Sequence, residues 1–488
     1  MALLGISISG TLCSADIYSE DGRLLSRKRA AFPVERYQDV QAALPARIWE
    51  AFCTAIKGAV SETDQANLSA LCITGGGDGL VALDRASVPL GPCVFRTASA
   101  MHCASSELPP DIFFEMTGRF ATDLTGLDTL SWYNQKYRGF FGQLWRYVPV
   151  ETWLQVKLGG QAIVDASLGS RALCLDIRDN TWSRQLLDPC GIREAHLPPI
   201  VQSASLAGRL SADAASELGL DSHVQLVVGG WDRACEALGA GVLEPAKSAL
   251  YCMQSSFDLI PSFAAISLTA LLLKNGISMT PHVQNEALLG VWQVREGGAM
   301  LRWFRDQIAR QETAEARSRG YNVYERLLAE MPDYPTELLY RPPAQDRSTS
   351  VLEGLKSDTS RSELLRGLVE GITEEMTEGL ERFGHVGIPV ETLHTTGIGA
   401  YSDVLLQLTA DISGCEILKM EQPNADTLGA ALIAACGAGV YESLEEAVAN
   451  AVRVAARYEP RPALHEVYVA RRESRRGNRP RGEMLQEI

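Results

Sequence analysis

The chain lacks the usual ligand patterns for metal. Its 11 cysteines include no Cys-x-x-Cys pair, and its 7 histidines include no pair at i, i+4. Neither pattern of a zinc site is present. Several cysteines sit in apolar strings such as "ALCITGG" and "ALIAACGAG", which suits buried reduced thiols in a cytoplasmic protein better than a disulfide framework. No basic segment precedes the strand-like opening "MALLGISISG", so no secretory signal is expected. The most apolar stretch, "FAAISLTALLLKNG", falls short of the ~20 residues that cross a bilayer. Positive charge is also in deficit, with 45 Lys and Arg against 60 Asp and Glu for a net charge of −15 at pH 7. That balance argues against a nucleic-acid surface. A cytoplasmic protein with no nucleic-acid or membrane partner is expected, and a second copy of the chain is left open as a partner.

What is present is a large, ordinary globular composition, 46% hydrophobic and 22% charged over 488 residues. That length is too great for one core, so two domains are expected. "LLGISISG", "CSADIYS", the turn "EDG" and "RLLSRKRAAF" read as a β-hairpin region. A helix is expected over 40–60, and a glycine-interrupted strand over "LSALCITGGGDGLVALD". A second hairpin, "KSALYCMQSSFDLI", and a strand, glycine loop and helix at 390–414 repeat the theme, which suggests two similar halves. Glycine and proline cluster at 239–248, where the boundary is placed. Residues 290–320 contain a long amphipathic helix, apolar at Met300, Leu301, Phe304 and Ile308. The proline-rich 340–360 reads as a loop, and 361–384 as a helix capped by Gly384. Residues 427–452 read as two helices with a glycine break. The basic run "ARRESRRGNRPRG" reads as a solvated tail.

Glycine loops carry the functional signal, because a glycine lets backbone N–H groups approach an anion closely. Four stand at strand ends: "SISGTL" (7–12), "GGGDG" (75–79), "GGWD" (229–232) and "TGIGAYS" (396–402). The third places Asp232 directly between an apolar strand and a helix. An ionised side chain there is costly unless it faces a cleft, and strand-to-helix junctions are where α/β proteins bind ligands. Asp232 also suits an N-cap, Asp78 an ordinary turn, and Arg233 an exposed helix surface.

Taken together, these blocks resemble the FGGY family of carbohydrate kinases, in order and over nearly the whole chain. "LLGISISGTLCSADIYSEDGRLL", "ITGGGDGLVALDRASVPLGP", "VVGGWDRACEALGAG", "TGIGAYSDVLLQLTADISG" and "ADTLGAALIAA" carry the likeness. The resemblance implies an α/β protein with two actin-like ATPase (ribonuclease H-like) domains around a central cleft. It implies an N-terminal domain over 1–243, a C-terminal nucleotide-side domain over 244–470 and a basic tail over 471–488. It further implies ATP with Mg2+ as phosphoryl donor and a small sugar or polyol as acceptor. Asp232 falls on the family's general base. Gly77, Asp78 and Arg233 fall on the sugar side. Gly10, Thr11, Ser255, Gly397, Gly399, Ala400, Gly429 and Ala430 fall on the nucleotide side. The residues that hold metal are left open.

The chain departs from that pattern at several points. Ser7 stands where the family has an aspartate that supports magnesium. Met253, Gln254 and Ser255 stand for a Gly-Thr-Ser phosphate loop. Arg96 to Ala100 replace a Trp-x-Asp-x-Arg motif, and "AQDRSTS" shortens a later loop. The alternative reading is therefore a catalytically impaired relative that binds a sugar or nucleotide and regulates something else.

Overall fold

A computed structural model describes residues 1–488 apart from 38–39, 64–67, 98–107, 121–125, 138, 173, 244, 265–268, 343–348 and 478–488. The replaced residues Ala98 to Ala100 and most of the shortened loop lie outside the described residues. The chain forms two compact units. The first holds Met1–Ala246, Ser262–Val291 and Asn424–Val452, and the second holds Lys247–Pro261, Trp292–Pro423 and Arg453–Ile488.

In the first unit a mixed sheet runs in the order Leu206–Arg209, Gln225–Val227, Leu68–Gly75, Ala2–Ser9, Leu12–Ser19, Leu24–Ala31. Ala2–Ser9 pairs antiparallel with Leu12–Ser19 and parallel with Leu68–Gly75. The helix Pro45–Val60 covers one face over Leu12–Ser19 and Leu24–Ala31, burying Ile48, Phe52 and Ile56 in one apolar cluster with Ile6, Ile8, Ala15 and Ile17. Pro45 starts that helix, since its fixed φ suits the first helical turn. Val40–Ala43, expected to be helical, instead pairs as a strand with Cys93–Thr97.

Two later segments return to this unit because small residues allow close approach. A Cβ on Gly5 would lie 1.9 Å from the Thr427 carbonyl oxygen, and one on Gly239 would lie 2.0 Å from that of Ala425. A Cβ on Gly429 would lie 1.8 Å from the Cys235 carbonyl oxygen. The helix Ala425–Gly437 thus packs backbone to backbone on the helix Asp232–Gly239. Gly429→Ala must force the two apart, with an expected loss of about 2 kcal/mol or more. Gly384→Ala is the control, because nothing lies within 4 Å of its added methyl. It should stabilise by about 0.5–1 kcal/mol in a thermal melt.

The second unit has strands in the order Phe257–Phe263, Ser248–Met253, Thr392–Thr396, Glu416–Met420, Val454–Tyr458. The expected long amphipathic helix is broken into Gly297–Trp303, a π-helical turn Phe304–Ile308, and Arg310–Arg319. The break buries Phe304 and Ala309 while Ile308 turns outward. The expected loop at 340–360 contains a short antiparallel pair, Leu339–Arg341 with Val351–Glu353. Helix Arg361–His385 passes through Gly384 and ends before Gly387, whose φ of +83° is the left-handed stop.

The basic tail is not simply solvated. Helix Pro462–Gly477 brings Arg471 to Glu370 at 2.8 Å and also onto Glu374, while Arg472 donates to the Ile412 carbonyl at 2.7 Å. Burial alone would raise the Glu370 carboxyl, but the Arg471 and Arg366 guanidiniums outweigh it and hold it low.

Candidate active site

The site begins with strand direction. Ala2–Ser9, Leu68–Gly75 and Gln225–Val227 run parallel, with Ile8 opposite Gly75 and Cys72 opposite Val227. Three of the four glycine loops therefore leave the carboxyl ends of neighbouring strands in one sheet, the end at which parallel α/β sheets bind ligands. Gly75 forms a parallel bridge to Trp231, which joins the second loop to the third. Gly10, with φ +57°, and Thr11 make the exposed turn of the opening hairpin.

Asp232 is the first residue of its helix and is buried, 8% exposed. The N-cap is Trp231, with no side-chain capping bond, so Asp232 does not serve as the cap. Burial holds its carboxyl above the usual carboxylate range. Arg233 and Arg171 oppose that rise, while Asp426 and Asp78 add to it. Arg233, rather than lying exposed on the helix, folds inward onto Glu236 at 2.7 Å and stands 4.0 Å from Asp232.

The substrate-side loop is shaped by two residues that the sequence reading missed. Antiparallel pairing of Leu80–Leu83 with Arg146–Pro149 sets Pro149 opposite Leu80, and Val150 N–H donates to the Gly79 carbonyl. That register delivers Glu151 beneath the loop, where its Oε1 accepts from Gly77 N–H at 3.1 Å. Gly77 has φ +66°, and a Cβ there would meet the Arg171 side chain at 2.7 Å. Arg171 Nε donates to the Gly76 carbonyl at 3.1 Å, and its Nη2 to Asp78 Oδ1 at 3.0 Å. Asp78 itself is exposed at the loop tip. The only hint of Glu151 in the sequence was an acid after Pro149 at a helix start, which a favourable helix dipole explains equally well.

Glu151 Oε2 is buried with no hydrogen-bond partner among the described residues. Burial raises its pKa to about 8, against the Gly77 hydrogen bond and with help from the charges on Asp78 and Asp232. The folded state thus retains a proton that the unfolded chain loses above the ordinary glutamate range. Its contribution to stability is full at low pH and falls as pH rises from about 4.5 to about 8. Glu151→Gln mimics the protonated form, so this decline should vanish. Thermal melts should converge with wild type near pH 4, and the variant should be more stable by a few kcal/mol at about pH 9. Equal pH dependence in both proteins would contradict the assignment.

The nucleotide-side residues divide between the units. Ser255, Gly397, Gly399 and Ala400 belong to the second unit. There Gly397, with φ +80°, lies against the Met253 carbonyl, and a Cβ on Gly399 would lie 2.6 Å from the Met253 Cβ. Ser255 Oγ accepts from both terminal nitrogens of Arg302 at 3.3 Å. Gly429 and Ala430 lie in the first unit and are buried in the helix crossing described above. The small size of Gly429 serves that packing, with its Cα facing the Cys235 backbone. Ser7 sits at the end of the first strand, 3% exposed, its hydroxyl without a hydrogen-bond partner among the described residues.

The FGGY family of carbohydrate kinases matches through its N-terminal domain over residues 2–239 and its C-terminal domain over 279–438. The chain belongs to this family. It is 26% identical over 413 residues to a xylulose kinase of Bacillus subtilis (strain 168), covering 82% of this chain and 81% of that protein. It is 24% identical over 455 residues to an autoinducer-2 kinase of Salmonella paratyphi B, covering 88% and 84%. The solved xylulose kinase of Rhodospirillum rubrum superposes with a TM-score of 0.82 at 20% identity, covering 96% of each chain. The FGGY protein therefore has the two-domain actin-like ATPase fold expected from its motifs. Its function class is that of a carbohydrate kinase, with ATP as the family's phosphoryl donor. Among its described residues no helix is long and apolar enough to cross a membrane.

Proposed function

We propose that this FGGY protein transfers the γ-phosphoryl group of ATP to a hydroxyl of a small neutral sugar or polyol, with Asp232 as general base. The observation that supports this most is the burial of Asp232 at the strand-to-helix junction, without a capping bond. A carboxylate held there above its usual range is a stronger proton acceptor than one in water. The acceptor hydroxyl gives its proton to Asp232 as its oxygen attacks the γ-phosphorus. The bond from that phosphorus to the bridging oxygen breaks, and ADP leaves with the electron pair. Asp78, exposed at the loop tip, accepts hydrogen bonds from further hydroxyls. Carboxylates on Asp78 and Asp232 disfavour an anionic acceptor such as a sugar acid.

On the nucleotide side we assign Gly397, Gly399 and Ala400 to the adenosine end, and Gly10, Thr11 and Ser255 to the phosphates. Among the described residues no group of three or more His, Cys, Asp or Glu could hold a metal ion. Mg2+ enters with the substrate as Mg·ATP, held chiefly by the phosphates and its own waters.

The test is release of ADP over a panel of neutral ketoses and polyols, with xylulose first because relatives are named for it. Gluconate serves as the anionic comparison. Sugar-dependent ADP release is expected with a neutral acceptor. No release with any of them would leave the binding-only alternative standing.

A further inference from the structure

The turn that carries Asp232 and the loop that carries Asp78 are held by one side chain. Arg171 lies in the short 3₁₀ turn Ser170–Ala172 and is largely buried despite its charge. Its Nε holds the Gly76 carbonyl, its Nη2 holds Asp78, and its guanidinium carbon stands 5.1 Å above the Trp231 ring. Trp231 is the residue before Asp232, and its own N–H donates to Ser167 Oγ at 2.9 Å. Ser167 Oγ in turn donates to the buried Asp165 at 2.6 Å, which also accepts from Leu168 N–H and from the Ser203 hydroxyl. The platform beneath Trp231 is therefore fixed, and Arg171 reaches from it to the substrate loop. Glu151 supports that loop from the other side through Gly77.

We infer that Arg171 is a positioning residue that locks the substrate loop to the base-bearing turn, so that a sugar gripped by Asp78 presents its hydroxyl to Asp232. The inference rests on the proposed function for the meaning of the two carboxylates, but the link itself is a matter of geometry. A planar fork suits this task. It meets a carbonyl and a carboxylate together while stacking on an indole, whereas a lysine supplies one compact charge.

The arrangement predicts opposite electrostatic effects at the two ends of the link. Asp232 is faced by Arg233 on its own helix, Asp426 on the helix Ala425–Gly437, Asp78 on the substrate loop and Arg171 on the 3₁₀ turn. Glu151, below the loop, interacts with it as well. Arg171 lowers the Asp232 titration and Asp78 raises it. Arg171→Met keeps the aliphatic stem and removes the cation, so the titration should move up. Asp78→Asn removes an anion, so it should move down. Arg171→Lys should keep the titration near that of wild type yet raise KM for the sugar about tenfold, because one of the two loop bonds is lost.

The experiment is a 13C titration of aspartate-labelled full-length protein without substrate, with the Asp232 resonance assigned from Asp232→Asn. Shifts in opposite directions, each of about half a pH unit or more, support the link. Shifts in the same direction, or none, overturn it. The readout does not depend on turnover, so it separates the link from the catalytic reading. Opposite shifts with no sugar phosphorylated would uphold the link and refute the kinase assignment. A KM for sugar unchanged in both Arg171→Lys and Arg171→Met would overturn the positioning role.

Discussion

Asp232→Asn should abolish phosphoryl transfer, lowering turnover by about 10²–10⁴-fold, while the affinity for Mg·ATP stays within a factor of about two. Asparagine keeps the shape of the side chain and cannot take a proton, so the loss falls on the step in which the hydroxyl is activated. The same substitution should stabilise the fold. Asp232 is buried and its carboxyl is held above its usual range, chiefly by burial. Its folded form therefore keeps a proton that the unfolded form gives up. Stability from this group is greatest below the ordinary aspartate range and declines as pH rises through the folded value. Asp232→Asn escapes that decline, so its melting temperature should exceed that of wild type at neutral pH and match it in acid. Activity lost with stability gained is the pattern of a residue kept for chemistry rather than packing. A variant that loses both, or that still turns over at the wild-type rate, would remove Asp232 from the role of base.

The parts of this fold that were legible in the sequence are those decided locally. Asp21 and Gly22, the latter with φ +81°, made the turn between Leu12–Ser19 and Leu24–Ala31 readable from the local sequence. The glycine loops were readable for the same reason, since they mark strand ends whatever lies beyond. The parts that were not legible depend on distant partners. The return of Asn424–Val452 to the first unit rests on Gly5 and Gly239 leaving room for helix backbone, which no local pattern announces. Gly429 likewise has a packing reason that its own segment does not announce, because its smallness serves the Cys235 backbone. Glu151 and Arg171 were missed because each looks ordinary in its own segment. Their meaning comes from a strand register and from a neighbour 95 residues away in sequence. The π-helical break at Phe304–Ile308 was hidden by a periodicity that continues through it.

Wild-type protein should bind Mg·ATP weakly and transfer its phosphoryl group far more slowly than its family would suggest, because the residues of both loops assigned to the phosphates depart from the family pattern. In the second unit, Gln254 N–H is spent on the Ser256 carbonyl, and the Ser255 carbonyl accepts from Ala299 N–H. Gln254's own carbonyl lies 1.7 Å from where a Cβ on Gly298 would be. That loop is closed on itself, and Arg302 on Ser255 is the cation left at its rim. Met253 is buried, with its side chain against Gly399. Restoring glycine there would open a cavity and cost about 2–5 kcal/mol, so that substitution alone should unfold part of the protein before it helps. Ser7 is the better place to begin, since its hydroxyl is buried without a hydrogen-bond partner among the described residues. Ser7→Asp adds charge where phosphate and its magnesium would be stabilised as charge moves, so its effect should fall on turnover more than on binding. Turnover should rise by up to about 10²-fold. The buried carboxylate should also lower the melting temperature without ligand, and Mg·ATP should restore more of it than in wild type, a readout independent of activity. Rapid wild-type turnover on xylulose or a simple polyol, with Ser7→Asp slower, would show that the altered loops carry the phosphates in their present form.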